Sequence, residues 1–418
     1  MNFGSIIKYY RLRNGMTQAE LSEGICSVSH LSKIESNKYS PHKETLEDLF
    51  KRMNIALENE IHVYKNFERK LKEFIEYAIY YDFESMERLY MELQKDEEYL
   101  QSTDLLNKYE LYKLRYYLFK KEMSQAKRQL LMIDKLTPTF NASEQIISVV
   151  FSIMFYISTG DDNQAEKLFS KIDEYADIKS ISNILGGEYF YQRAWLLQKK
   201  AKYDKSSYYA GFAISHFQKD CNYIRLMHAQ MLQAINFTNL DHYLWAEELF
   251  SILMRNTRMM RQEELYHQTL YNFSILQKRM GNHANAYDLL VKLKSIISTE
   301  CEFYDSVLLN MLHTSIGTNR ESPQTLEELQ ERANRSDEQY LKIQLKYFEN
   351  MKLTHQEPYD YCEEIMFPFL SRFDDIREGR RMAFRLAKYH REKGNYEKAY
   401  FYNNYFNEER DENHETKV

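Results

Sequence analysis

A small residue returns along this chain about every forty positions, each time at the same distance behind a turn. Gly160 is followed five residues later by Ala165, Gly281 by Ala286, Gly317 by Ser322 and Gly394 by Ala399. Extending that register marks Met86, Ala126, Ala165, Ser206, Ala246, Ala286, Ser322, Tyr361 and Ala399, at intervals of 40, 39, 41, 40, 40, 36, 39 and 38. Four residues beyond the marks stand Tyr90, Leu130, Phe169, Ala210, Phe250, Leu290, Leu326, Ile365 and Asn403, seven of the nine being large and apolar. Positions i and i+4 share one helix face. The pattern therefore describes a helical hairpin whose second helix crosses the first closely at the small residue and packs with the large one. No hairpin buries that face alone, so the hairpins must stack.

Composition agrees with helices throughout. Glycine at 11 and proline at 5 in 418 residues fall far below the combined ~12% of ordinary chains, and helix interiors are where both are least welcome. Aromatic residues at 15% exclude a disordered chain. The net charge of −6 argues against coating nucleic acid along the whole length, so any such contact is local. Cys26, Cys221, Cys301 and Cys362 stand far apart, with no zinc-ligand spacing, and read as free thiols in a reducing compartment. No signal peptide and no run of 18 uninterrupted apolar residues is visible, so a soluble, cytoplasmic protein without membrane contact is expected. No GxSxG, Walker loop, HExxH or Cys-His arrangement occurs; neither enzymatic activity, nor a cofactor, nor a metal site is expected.

Residues 3 to 61 differ from the rest. Four short periodic segments are punctuated at Asn14-Gly15, Gly24 and Asn37 to Pro41. Thr17 with Glu20 three residues on is a capping box opening the second segment, which places Leu21 and Ile25 on one face. The third segment, Ser27 to Ser36, buries Leu31 and Ile34. A turn around Gly24 to Cys26 joins the two, and segments carrying Ile6, Ile7 and Tyr10 and carrying Leu46, Leu49 and Phe50 brace them. This is helix-turn-helix geometry. The expected fold is all-α, with residues 1–63 as this module, 64–70 as a connector and 71–418 as a right-handed α-solenoid of about nine tetratricopeptide-like hairpins.

The stretch Thr17-Gln-Ala-Glu-Leu-Ser-Glu-Gly-Ile-Cys-Ser-Val-Ser-His-Leu-Ser-Lys-Ile-Glu-Ser-Asn37 closely resembles the Cro/repressor-type helix-turn-helix of the peptide-sensing regulators named after Rap, Rgg, NprR, PlcR and PrgX. With a long repeat array behind it, the chain is most similar to the NprR branch. The resemblance implies a Gram-positive cytoplasmic receptor in which a short secreted peptide is re-imported, binds the repeat groove and changes the oligomer and its DNA binding. It also implies an internal ion pair between Arg11 and Glu35. The implied partners are a double-stranded DNA operator, a short signalling peptide and a second copy of the chain, as homodimer or tetramer. A rival reading from a different class is capture of a phosphorelay response regulator, as Rap proteins do.

For DNA, the third helix should enter the major groove with Ser27, Ser29, His30 and Lys33 directed away from Leu31 and Ile34. Gln18 suits a phosphate or base edge, and Lys38 flanks the face. Over residues 1 to 43, six Lys and Arg stand against three acids, a local +3 on an acidic protein. For a peptide, whose main chain has donors and acceptors to satisfy, carboxamides are the natural partners. Tyr191-Gln192 and Tyr271-Asn272 share a register, fourteen residues before the marks at Ser206 and Ala286, and Gln192, Asn236, Asn272 and Asn310 are the candidates. Tyr208, Tyr209 and Phe212 suit either side-chain pockets of the groove or the core, where aromatic stripes at helical spacing more often fall. Arg377, Arg381, Arg385 and Lys388 form a basic stripe that suits a peptide carboxylate, an acidic partner protein or a solvated face.

Overall fold

A computed structural model describes residues 1–175, 185–316, 318, 323–335, 338–354, 357–371 and 376–405. Gly317, Ser322 and the terminal Glu408 to Val418 lie outside the described residues. Every regular element among those described is helical. The chain forms two compact units, Met1–Gln192 and Arg193–Val418.

The first unit opens with α1 (Phe3–Arg13), α2 (Gln18–Ser22), α3 (Val28–Glu35) and α4 (Lys43–Arg52). Thr17 caps α2 through its hydroxyl while Glu20 reaches back to the Thr17 N–H, the reciprocal box the sequence predicts. Ile6, Ile7, Leu21, Leu31, Ile34, Leu49 and Phe50 are completely buried. Gly4 lets α1 lie directly on the end of α3: a Cβ there would stand 1.9 Å from the Ile34 carbonyl oxygen.

The expected connector at 64–70 is a correction. α5 (Leu57–Tyr80) runs through it without interruption. The reason is an apolar stripe: Leu57, Tyr64, Phe67, Leu71, Phe74 and Ala78 are all buried, with Glu60 completing the 3, 4, 3, 4 spacing that keeps one helix face inward. Glu60 itself is 1% exposed. Its carboxylate accepts from Tyr10 of α1 at 2.8 Å and from Tyr99 at 2.6 Å. Burial raises its pKa, and the two hydroxyls oppose that rise. Tyr99, on the short α7 (Glu97–Gln101) that follows α6 (Phe83–Lys95), also meets Tyr9 edge-on and packs on Phe67. The boundary at residue 63 therefore cuts through a shared core.

Nine hairpins follow one another among the described residues. In the first unit α5 pairs with α6, α8 (Leu106–Phe119) with α9 (Met123–Leu136), and α10 (Ala142–Thr159) with α11 (Asp162–Tyr175). α12 (Gly186–Lys199) and α13 (Tyr203–Lys219) form the fourth. In the second unit come α14 (Tyr223–Asn239) with α15 (Tyr243–Met259), α16 (Glu263–Arg279) with α17 (His283–Ile296), and α18 (Tyr304–Ile316) with α19 (Pro323–Arg335). α20 (Gln339–Thr354) is followed by the short α21 (Tyr359–Tyr361) and α22 (Phe367–Leu370), and α23 (Ile376–Glu392) by α24 (Tyr396–Asn404). Met86, Ala126, Ala165, Ser206, Ala246 and Ala286 are each at most 1% exposed. The register slips in the last third. Beside the mark at Ser322, which lies outside the described residues, Thr325 and Leu329 are buried and Leu326 only partly so; Cys362 and Met366 are buried in place of Tyr361 and Ile365. The second slip has a visible cause, a wide π turn over Cys362–Met366 that adds a residue to the helix.

Where it lies among the described residues, the turn five residues before a mark is left-handed whether or not it is glycine. Tyr81, Lys121, Ala201 and Asp241 have φ of 64, 56, 54 and 59° and occupy the position that Gly160, Gly281 and Gly394 hold at 82, 81 and 77°. At each, the next residue donates to the carbonyl five positions back, as in Asp82 to Tyr77, Lys202 to Leu197 and Asn282 to Gln277. This is the Schellman closure, which satisfies helix-end carbonyls.

α10 is long and apolar enough to cross a bilayer by length and composition alone, although Ser, Glu, Gln and Thr interrupt its apolar residues. Its Ile147, Val150, Phe151, Ile153, Met154 and Ile157 are nevertheless buried as the core of a repeat.

Two outcomes follow from these geometries. Ala201→Gly should stabilise the array and Gly160→Ala destabilise it, each by about 1 kcal/mol, because an L side chain is strained at positive φ; urea unfolding followed by circular dichroism reads the pair, and shifts in the same direction would sink the account. A chain begun at residue 70 lacks Glu60, Tyr64 and Phe67 around Tyr99. It should melt lower than one begun at residue 57, since losing a buried Phe alone costs about 3–5 kcal/mol. Equal melting would show that α5 contributes no shared core.

Candidate functional site

The first candidate face is α3. Arg11 holds Glu35 through two parallel bonds, Nε to Oε1 at 2.6 Å and an Nη to Oε2 at 2.9 Å, both side chains being buried. The third guanidinium contact is the Met16 carbonyl at 2.8 Å. Gln18 then donates to the same Glu35 carboxylate at 2.8 Å, so its amide nitrogen is committed to positioning α2 on α3. Ser27 is exposed, and its hydroxyl caps α3 by accepting the His30 N–H. Ser29, Lys33 and Lys38 are exposed. His30 is a correction: it is half-buried, edge-on to Tyr39 with centroids 4.5 Å apart, and its Nε2 is enclosed without a partner. It braces α3 against the following loop and does not project. What α3 presents outward is short side chains flanked by lysines, a surface that admits close approach of a polyanion.

The second candidate lies in the second unit. A cavity of about 220 Å³ is lined by Ile235, Thr238, Asn239, Tyr271, Asn272, Ile275, Arg279, Glu378 and Arg381, among others. α14, α16 and α23, first helices of their hairpins, supply these residues. Asn272 donates Nδ2 to the Gln268 carbonyl at 2.8 Å, which fixes the amide. Asn310 is engaged on both ends, donating to the Tyr271 hydroxyl at 3.0 Å and accepting from Lys278 at 3.2 Å. Burial pushes the Tyr271 hydroxyl up to about 12, so it remains a donor.

Asn236 and Gln192 are corrections. Asn236 is fully buried, accepting from Gln198 at 3.0 Å and donating to Ser206 at 2.8 Å, while Ser206 donates to the Ala194 carbonyl. It serves the helix crossing, where a serine stands in the small-residue position and its hydroxyl needs partners. Gln192 is 2% exposed, on a helix whose residues 186–190 are all buried, and its Oε1 has no hydrogen bond. Neither is presented to a ligand.

Asn239, one turn beyond Asn236, is the carboxamide that sequence reasoning missed. Its Oδ1 accepts from Arg279 at 3.1 Å and from Arg381 at 2.9 Å, although Arg381 is 142 residues away. The basic stripe thus divides. Arg381 enters this cavity, and Arg385 donates to Tyr347 at 2.6 Å and pairs with Glu357. Lys388 is exposed, and the side chain of Arg377 lies outside the described residues. Tyr208 is 64% and Phe212 39% exposed, so of the two readings core is excluded for them. Tyr208 and Tyr209 line a separate hollow with Arg193 and Lys205.

Cations cluster at the end of α16 beside this cavity. Desolvation, with Arg381, Arg385 and Arg279 adding to it and Glu378 opposing, brings Lys278 down to about 8. Desolvation and then Lys278 and Arg385 hold His313 down at about 3, so it is neutral.

A capped helix-turn-helix module followed by stacked hairpins defines a helix-turn-helix regulator with a tetratricopeptide-type repeat region. The helix-turn-helix family matches residues 7–58. Over 395 residues the chain is 22% identical to the transcriptional activator NprA of Geobacillus stearothermophilus, covering 91% of this chain and 96% of that one. In fold it is similar to NprR in complex with its cognate peptide NprX, with a TM-score of 0.54 at 15% identity over 78% of this chain and 98% of that one. It is also similar to a Rap protein complexed with competence and sporulation factor, with a TM-score of 0.62 at 14% identity over 82% and 97%. Along most of its length the chain is thus similar to the regulators grouped under Rap, Rgg, NprR, PlcR and PrgX, and close to NprR among them.

Lys278→Met should raise the melting temperature at pH 7, with the advantage fading as pH climbs from 8 toward 10.5. Lys278 titrates near 8 when folded and near its ordinary 10.5 when unfolded. The unfolded chain therefore binds the extra proton in that window, and wild-type stability alone rises through it. Parallel melting curves at every pH would refute the assignment.

Proposed function

We propose that this protein is a peptide-responsive transcription regulator, in which the module at residues 1–56 binds a double-stranded operator and the repeats bind a short linear signalling peptide. The observation that carries the reading is the joint presence of an exposed, lysine-flanked α3 and a cavity lined by Asn239 and Asn272. An extended peptide offers one N–H and one C=O per residue, and a carboxamide anchored by one bond, as Asn272 is to Gln268, keeps its oxygen for a ligand N–H. On the DNA side, Lys33, Lys38 and Ser29 meet phosphates and base edges, Ser27 does so through its O–H, and Gln18 acts through α2. Peptide arrival changes the oligomer, a homodimer or tetramer, and with it the DNA affinity.

A second reading, capture of a response regulator protein, is supported by the fold likeness to a Rap protein. It requires no contact with DNA. Operator retention by the full chain separates the two.

Lys33→Ala should weaken operator binding by about 1–3 kcal/mol with an unchanged melting temperature. Asn272→Ala should weaken peptide binding about five- to 150-fold and leave peptide-free operator affinity alone. Because coupling between two sites is reciprocal, the second variant should also lose the peptide-dependent change. Calorimetry beside an operator-binding assay tests both; a full chain that retards no DNA, or wild-type peptide affinity in Asn272→Ala, would overturn the corresponding half.

A further inference from the structure

Lys278 and Arg279 are consecutive half-buried cations at the end of α16, and among the described residues neither has a carboxylate at ion-pair distance. Lys278 donates to the Asn310 Oδ1 at 3.2 Å. Arg279 donates to the Thr238 carbonyl at 2.7 Å and to the Asn239 Oδ1 at 3.1 Å. Every acceptor is neutral. Arg381 adds a second guanidinium on the same Asn239 oxygen at 2.9 Å. Its own anion, Glu378, is three residues away on the same exposed helix face. Beside the first cavity lies a second of about 390 Å³, also walled by Asn239, Arg279 and Arg381. Arg380 and Asp241 line it too, and the Asp241 carboxylate accepts from the Tyr243 hydroxyl. A desolvated charge without a counter-ion is costly, and two guanidiniums sharing one neutral oxygen is the arrangement a carboxylate, with two anionic oxygens, replaces favourably.

We propose that the ligand of this site carries a carboxylate that seats between Arg279 and Arg381, so that the receptor selects an acidic linear peptide. The inference rests on the peptide-receptor reading and deepens it. Either a free C-terminal carboxylate or an Asp or Glu side chain supplies the group. Its arrival releases the Asn239 amide oxygen, which then accepts a peptide N–H beside Asn272.

The test uses the full chain, immobilised and exposed to synthetic random heptapeptides, with retained peptides identified by mass spectrometry. One pool has free C-termini, a second is C-terminally amidated, and a third is amidated and made without Asp or Glu. The expected result is retention from the first pool at least tenfold above the third. Retention from the second pool assigns the carboxylate to a side chain, and its loss assigns it to the C-terminus. Arg279→Gln and Arg381→Gln should each abolish that preference. Arg279→Gln should also melt higher than wild type without ligand, a readout that shows the variant is folded. Equal retention from all three pools leaves the peptide receptor standing and overturns the carboxylate site, as does an unaltered preference in both variants. Retention from none overturns both readings.

Discussion

Everything downstream of the first module depends on a crossing of two helices at a residue too small to hold them apart. Ala126, Ala165, Ala246 and Ala286 are fully buried at that crossing, and the left-handed residue five positions earlier sets the angle at which the second helix returns. Steric closeness and turn geometry are two halves of one constraint. Dispersion and apolar burial at i+4 stabilise the hairpin only if the backbones first approach. Where alanine gives way to Ser206, the hydroxyl brings a polar obligation with it. Asn236 meets that obligation, so a residue resembling a ligand contact is there for the fold.

Glu60 joins the DNA-reading module to the first hairpin in the same manner. A carboxylate buried among Phe67, Tyr10 and Tyr99 is costly unless its lone pairs are taken, and the two tyrosine hydroxyls belong to elements on either side of α5. Displacing α1 from α5 would strand that carboxylate. The module and the start of the array are therefore coupled by an energetic penalty for separation, and a change in the first hairpin acts on α1 through few atoms. A flexible connector would dissipate such a signal; a continuous helix does not.

The repeat was legible because its period survives substitution. A small residue and a large one four later are visible whatever else varies, and the capping box Thr17–Glu20 was legible because it needs two residue types at one spacing. The turns at Tyr81, Lys121, Ala201 and Asp241 were not, since nothing in those side chains announces positive φ; only stacking forces them into it. The π turn over Cys362–Met366 shifted the register by one for the same reason, being a backbone event without a residue signature. Among the site residues, Asn272 lines the cavity from a helix where it shares a face with Tyr271's neighbours, which the register indicated. Asn236 and Asn239 differ by three positions, and choosing between them required knowing that Ser206 needed a partner. Arg381 reaching Asn239 across 142 residues is beyond any local pattern.

The cation-rich cavity bears on selectivity more than on affinity. In the ligand-free protein Asn239 is already satisfied by two guanidiniums, so a peptide that offers only neutral groups must break those bonds and leave both cations worse solvated than before. Its main-chain contacts to Asn272 then offset a loss, and the net gain is small. A carboxylate reverses the sign: it takes the guanidiniums itself, exchanges neutral acceptors for charged ones, and frees a carboxamide for the main chain. Discrimination thus arises from the penalty imposed on the wrong ligand as much as from contacts made to the right one. Because the contact broken lies between α14 and α23, the carboxylate also has different contacts before and after that helix pair parts. Such a difference is what a ligand needs in order to shift an equilibrium between two arrangements of a protein.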